Sequence, residues 1–463
     1  MRRTALIPFF VAVFIGTVWL NQGMQHAAAV RRATELGDVQ RHPLNGLRYV
    51  LGLLYMRSDD EERYYAVASA MRGLPYDHER LVDRGGGGSS AIERAPPEDG
   101  KWHRPYTEVP VEYPIAMLPF VLLPSFLGGT HFDVYARVFS FLMAALLLTG
   151  AALAIRAQPG RDRHEQWVAM AWLLLGEGCL AVQRLDAVVA LLLALAFWAA
   201  AERRPGALGA ALGLATAAKF LPVLLIAPLV AADRDAWSSS RARGRALVAF
   251  STAATIGLAP MLFPPSALLD VLRYHSLRGL QIESLWGVLL GGWELLNGTA
   301  VPAEWSFGSY NLTGPAAAFF AKISGPMTLL LVAAVTALLA RAPMPATDIA
   351  RRDRIALALL GGLAATWLSA KVFSPQYLTW AIPLVLAVSG KLGKRVTWLF
   401  FAVLTASQVV LCGLYVYVFA ITPVGEIALL LRLGLLIAFT VAVVRGIVGA
   451  PDLRTATAVA GAA

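Results

Sequence analysis

Long apolar runs, most near the ~20 residues a helix needs to cross a hydrocarbon core, recur down the chain as far as residue 444. The pattern predicts spans at Ala5 to Leu20 and near 134–155, 166–183, 187–201, 206–218, 219–232, 246–263, 323–340, 355–370, 373–390, 396–418 and 424–444, about twelve in all. Two stretches are irregular. The pair between 206 and 232 is short and broken by Lys219 and Pro222, as in helices that stop part-way and line a cavity. The run 113–127 is interrupted by Pro114, Pro119 and Pro124, which suits a helix lying on the membrane face better than a span. The expected fold is an all-α polytopic membrane protein in which residues 1–463 form a single integral membrane domain. Met1-Arg2-Arg3 and the apolar run behind it read as an uncleaved first span.

Charge orients this pattern. The chain is 57% hydrophobic and 15% charged, with a mean hydropathy of +0.60, so its net charge of +10 reports membrane topology rather than nucleic acid. With 113–127 left out of the span count, about half of the 40 Lys and Arg fall in loops on one side. They include Arg203 and Arg204, the group from Arg234 to Arg245, Arg341 to Arg354, and Lys391 to Arg395. By the positive-inside rule that side is cytoplasmic. Residues 22–131 then form a long first external loop carrying the juxtamembrane helix 113–127 and a flexible tip, Gly85 to Ser90.

In this orientation the polar residues with chemical potential gather on the external side: Asp60, Glu112, Arg184, Asp186, Lys219, His275, Arg278, Glu283, Lys371 and Gln376. Ionisable groups at a membrane interface are functional candidates, though each has a plainer explanation. The run Asp59-Asp60-Glu61-Glu62 could be a solvated loop, but Tyr64, Tyr65 and the turn Gly73-Leu74-Pro75-Tyr76 argue for a short packed helix holding a carboxylate that could act as general base. Glu112, before Tyr113-Pro114, could be a favourable charge at a helix start. Arg184 and Asp186 could be a local ion pair. Lys219 needs an anion, which a phosphate or Asp186 would supply. The stretch from Arg273 to Ser284, with His275, Arg278, Gln281 and Glu283, could be an amphipathic loop helix or a phosphate cradle. Snorkelling accounts for Lys371 but not for Gln376 and Tyr377 behind it. Glu177, inside an apolar run, reads as a helix-to-helix hydrogen bond.

Several classes are disfavoured. The sequence has no Walker motif, Rossmann fingerprint, nucleophile elbow or paired histidines at metal-ligand spacing. The two cysteines, Cys179 and Cys412, lie inside apolar segments and support no disulfide framework. No metal and no cofactor are expected.

Taken in order, the segments Asp60...Tyr64-Tyr65...Gly73-Leu74-Pro75-Tyr76, Glu112-Tyr113-Pro114, Arg184-Leu185-Asp186, Ala218-Lys219-Phe220-Leu221-Pro222, His275...Arg278-Gly279-Leu280-Gln281-x-Glu283-Ser284 and Lys371-Val372-Phe373-Ser374-Pro375-Gln376-Tyr377 resemble the GT-C integral-membrane glycosyltransferases. They are most similar to glycosyltransferase family 87, the polyprenol-phosphate-mannose-dependent mannosyltransferases. The resemblance implies an acceptor-activating aspartate in the first external loop, which falls on Asp60 with Asp59 as the competing choice. It also implies a polyprenyl-phosphate sugar donor entering from the bilayer, and a glycolipid or glycan acceptor. On that reading Asp60 and His275 are catalytic, while Arg278, Lys219, Lys371 and Gln376 hold the donor phosphate. Asp59, Tyr64, Glu112, Tyr113, Arg184, Asp186, Gln281, Glu283 and Tyr377 line the substrate site. The expected location is the plasma or inner membrane, with the active site on its extracytoplasmic side. The insert from Arg84 to Ser90 and the stretch from Arg94 to His103 depart from the compact form of this loop. A transporter or flippase of a lipid-linked sugar is the alternative, but it would usually show paired broken helices in two related halves.

Overall fold

The computed structural model describes residues 59–77, 96–111, 113–262, 265–299 and 302–449. The expected first span, the glycine-rich tip and Glu112 lie outside the described residues. The remaining expected spans all fall on helical structure. In chain order the principal helices are α1 (Asp59–Met71), α2 (Leu118–Gly128), α3 (Phe132–Ala157), α4 (Arg163–Glu177), α5 (Asp186–Ala201), α6 (Pro205–Ala218), α7 (Ile226–Ala232), α8 (Ser240–Leu258), α9 (Pro265–Leu277), α10 (Leu285–Leu296), α11 (Pro315–Arg341), α12 (Asp348–Ser369), α13 (Ile382–Leu386), α14 (Gly390–Val409) and α15 (Pro423–Val448), with single helical turns at Leu180–Gln183 and Tyr415–Phe419. By length and composition α3, α11 and α15 can each cross a membrane alone, and α2, α5, α6 and α10 are shorter apolar helices. The protein is an all-α polytopic membrane protein.

One small element has no counterpart in the apolar pattern. Leu280–Gln281 (β1), Ala303–Ser306 (β2) and Ser309–Leu312 (β3) form an antiparallel sheet in the order β1-β3-β2, pairing Gln281 with Asn311 and Trp305 with Tyr310. Strands of two to four residues are too short for a period-2 alternation to stand out.

The centre of the bundle is α5. Alanines at 187, 190, 194, 196 and 199 are all fully buried, and their small side chains let backbones approach closely. A Cβ added at Gly150 of α3 would lie 3.2 Å from the Leu191 Cα. The helices α6 and α8 are closer still, because Gly209 and Gly213 sit against the Ala246 and Phe250 carbonyls, where an added Cβ would fall at 2.0 and 2.4 Å. Any larger residue would push these helices apart.

The two ends of the bundle differ in chemistry. At one end α12 begins with Arg351, Arg352 and Arg354, which bind the closing carbonyls of other helices. Arg351 donates to the Ala201 carbonyl at 2.6 Å and pairs with Asp233 at 2.8 Å, and Arg352 donates to the Ala157 carbonyl at 2.7 Å. Guanidiniums there satisfy unpaired carbonyls and complement the negative ends of the helix dipoles. The other end carries the candidate chemistry.

Candidate functional site

The acidic run starts α1, where carboxylates at a helix N-terminus are favoured by the exposed N–H groups and the macrodipole. Helical spacing sorts its members by face. Asp60 and Tyr64, four residues apart, share one face. The Asp60 carboxylate pairs with the Arg184 guanidinium, and buried Tyr64 meets Tyr113 edge to face, hydroxyl to hydroxyl at 3.4 Å. Glu61 turns instead to α3, where it accepts from Ser140 Oγ at 3.2 Å. Tyr65 packs on Phe132 and Tyr135. The helix closes at Gly73, whose φ of +62° and contact with the backbone of Gly100 and Lys101 exclude any Cβ. Residues from 100 onward are thereby clasped to α1: the Gly100 N–H donates to the Gly73 carbonyl and the His103 N–H to the Met71 carbonyl, both at 2.9 Å.

Arg184 is extended, just before α5, and Asp186 lies in the first turn of that helix. The Asp186 carboxylate, almost wholly buried, accepts from Lys219 Nζ at 2.8 Å and from Trp380 Nε1 at 2.6 Å. Lys219 occupies the break between α6 and the 3-10 turn Leu221–Leu225, in extended backbone with φ −149° and ψ 131°. Its ammonium lies 4.7 Å from the Tyr377 ring centroid and 5.4 Å from that of Trp380. A buried carboxylate, an indole N–H and two aromatic faces thus surround it. Of the two anions that could serve Lys219, the structure supplies Asp186.

The cationic half comes from α9, β1 and the segment after α12. Lys371 donates to the Ser276 carbonyl at 2.8 Å and the Arg278 carbonyl at 2.6 Å, and its own carbonyl accepts from the Gln281 N–H at 2.9 Å. These bonds hold the turn that presents Arg278. The Arg278 guanidinium has a serine hydroxyl for company, Ser309 Oγ at 3.2 Å, and its Nε is buried without a partner. Among the described residues no carboxylate pairs with it. Crowding by protein atoms and the Arg278 charge push the Lys371 ammonium below its ordinary pKa. His275, in the last turn of α9, has an accessible edge but is packed near Phe220 and Tyr274. Burial within this cluster, then the charges of Arg278, Lys219 and Lys371, lower its pKa from 6.5 to about 4. The imidazole is therefore neutral at physiological pH. Gln281 is buried with an unpartnered Oε1, and Gln376 is half-buried in the turn that carries Tyr377.

Glu283, expected among the substrate-binding residues, is held elsewhere. It is buried in an ion pair with Arg432 of α15, which also donates to the Glu283 carbonyl at 2.8 Å and stacks on Phe373 at 5.0 Å. Asp59 begins α1, and Glu112 lies outside the described residues. Glu177 accepts a hydrogen bond from Thr379, the helix-to-helix contact expected of it. Trp380, Ser309 and Arg432 complete these clusters without having been singled out in the sequence. Only Arg432 carried a signal, as a guanidinium inside an apolar run.

The profile of glycosyltransferase family 87 matches residues 112–375, more than half of the chain. The chain belongs to glycosyltransferase family 87. No curated protein matches the sequence of this glycosyltransferase significantly. Among solved structures, ArnT from Cupriavidus metallidurans bound to undecaprenyl phosphate is similar over 96% of this chain and 78% of its own, at 15% identity and a TM-score of 0.39. Its apo state gives 97%, 78%, 14% and 0.37. At those values membership of the family rests on the sequence match alone. The matched region takes in Arg184, Asp186, Lys219, His275, Arg278 and Lys371, whereas Asp60 and α1 precede it. The role of Asp60 must therefore be argued from geometry.

Proposed function

We propose that this membrane glycosyltransferase moves a sugar, mannose by the resemblance noted above, from a polyprenyl monophosphate to a hydroxyl of a lipid or glycan acceptor. Transfer takes place on the extracytoplasmic face of the plasma or inner membrane and inverts the anomeric carbon. The observation that supports this most is the division of charge at one end of the bundle. A carboxylate ion-paired with Arg184 stands on α1, and cations without acids of their own stand on the α9–β1 turn and at Lys371. That division suits a displacement in which a base and a departing anion occupy opposite sides of the reacting carbon.

Asp60 takes the acceptor proton. Arg184, its ion-pair partner, orients the carboxylate until the hydroxyl arrives. Arg278 meets the phosphate, and Lys371 fixes the turn that carries it. His275, neutral and a single N–H donor, hydrogen-bonds the leaving oxygen as charge grows there. Fixed cations of this kind let the phosphate depart without a metal.

The test is turnover with a radiolabelled polyprenyl-phosphate mannose and membrane lipid extract. Asp60→Asn keeps size and hydrogen bonding but removes basicity, so turnover should fall on the order of 10²-fold or more with donor binding little changed. Chelator should leave wild-type activity intact. Full activity in Asp60→Asn would remove the base from the mechanism, and activity lost to chelator and restored by magnesium would replace the cations with a metal.

A further inference from the structure

At the opposite end of α5 from Asp186, about 24 Å away at 1.5 Å per residue, lies a cavity of about 370 Å³. One wall is the turn from α5 into α6, with Arg203 and Arg204, and the other is the start of α8, with Arg241 and Arg245. Two acids also line it. Asp233 is already bound to Arg351 at 2.8 Å, which leaves four guanidiniums facing the single uncommitted carboxylate of Asp235. Among the described residues, none of the four pairs with an acid; Arg204 instead lies over the Trp198 ring at 4.9 Å. The positive-inside rule accounts for arginines at this end. It does not account for a concave site with arginines on both walls.

We propose that this cavity binds the phosphate group of an anionic membrane lipid from the cytoplasmic leaflet. The phosphate chemistry follows from the guanidiniums, which fork onto phosphate oxygens. The lipid source follows from what adjoins them. Arg241, Arg245 and Val248 are spaced i, i+4, i+7 on one face of α8. Val248 and its neighbour Leu247 are each 66% exposed, so an apolar surface without a partner among the described residues continues from the charged mouth into the membrane. Trp237 lines the same mouth, a residue type favoured at the headgroup level. A phosphate between the arginines would leave its acyl chains lying along α8. Basic pockets between helices on the cytoplasmic side bind anionic headgroups in this way. The proposal is independent of the sugar-transfer chemistry at the other end of the bundle.

The experiment uses the full chain in uncharged detergent, with lipid binding counted by native mass spectrometry across a titration of phosphatidylglycerol, of phosphatidylcholine, and of inorganic phosphate. In Arg241→Gln/Arg245→Gln, phosphatidylglycerol should bind about thirtyfold more weakly, at roughly the usual worth of two basic residues beside an anionic leaflet. Lys391→Gln/Arg395→Gln removes equal charge at the same end but outside the cavity, and should bind as the wild type does. Phosphatidylcholine should be indifferent to both changes. Equal losses in the two variants would reduce the effect to bulk surface charge and overturn the proposal. Arginine-dependent binding of inorganic phosphate with no tight phosphatidylglycerol would overturn the lipid source in favour of a soluble phosphate.

Discussion

Replacing Lys219 by Met separates two explanations of a buried ammonium, a phosphate ligand or half of an internal ion pair. Asp186 has only 2% of its side chain exposed, and in the variant it would keep the Trp380 N–H at 2.6 Å but lose the ammonium at 2.8 Å. Breaking a buried pair from one side costs about 3–5 kcal/mol, and the remaining indole bond places this case near the lower figure. Loss of the cation from the Tyr377 and Trp380 faces adds about 1 kcal/mol. The unfolding equilibrium should therefore shift roughly 10²- to 10³-fold at 1.4 kcal/mol per decade. Lys219→Met/Asp186→Leu removes both charges together, a change often neutral for buried pairs. It leaves the Trp380 N–H without its acceptor, about 1–3 kcal/mol, so the double variant should be more stable than the single one. The assay is denaturant unfolding in mixed micelles, with polyprenyl-phosphate binding followed on the same samples. A phosphate ligand would behave oppositely, because relieving its repulsion with Arg278 and Lys371 would leave the single variant at least as stable while donor binding fell. Wild-type stability in Lys219→Met, or a double variant weaker than the single, would refute the ion-pair account.

Two further outcomes test the cationic side. Arg278→Gln should weaken donor binding by roughly 1.5–3 kcal/mol, the range for a hydrogen bond to a charged group, and Arg278→Lys should recover part of that because it keeps the charge without the fork; equilibrium titration with donor lipid measures both, and unchanged affinity in Arg278→Gln would remove it from the phosphate site. Because the pKa of His275 is lowered from 6.5 to about 4, the neutral ring persists as pH falls through the ordinary histidine range and is lost only near the lower value. Its acylation by diethyl pyrocarbonate, read by peptide mass spectrometry, should hold nearly level from about pH 7 to pH 5 while that of a free imidazole compound added to the same sample declines as the ring protonates near 6.5. Removing a neighbouring cation with Arg278→Gln should move the His275 transition upward, and a His275 profile parallel to that of the free imidazole would show that neither burial nor the cations act on it.

The helices were legible because membrane spans write themselves as apolar runs, and the break at Lys219 because a charge and Pro222 interrupt one. The facing of Asp60 was latent in helical spacing: once 59–71 is helical, residues 60 and 64 must share a side. What stayed hidden was partnership across the chain. Asp186, Lys219 and Trp380 are joined over separations of 33 and 194 residues, and no local pattern encodes such a contact. The pairing of α6 with α8 had a local sign, Gly209 and Gly213 spaced for close helix contact, as did Arg432. The sheet had none.

The site is unevenly supported, and the unevenness bears on how it works. Its acidic half, Asp60 on α1, is paired with Arg184 at the head of α5, a helix buried along its length and anchored by Asp186 at its start and by Arg351 on the Ala201 carbonyl at its finish. The cationic half rests on α9, with Leu269, Leu272 and Leu277 exposed, and on a turn whose backbone is held by the two hydrogen bonds from Lys371. On the proposed function Lys371 would serve a phosphate chiefly by placing Arg278, since two of its three donors are already taken by carbonyls. A preformed acid beside a cation turn held at few points suits the proposed reaction, in which the acceptor would be aligned before the base while a long lipid donor would enter from the apolar side that α9 leaves open.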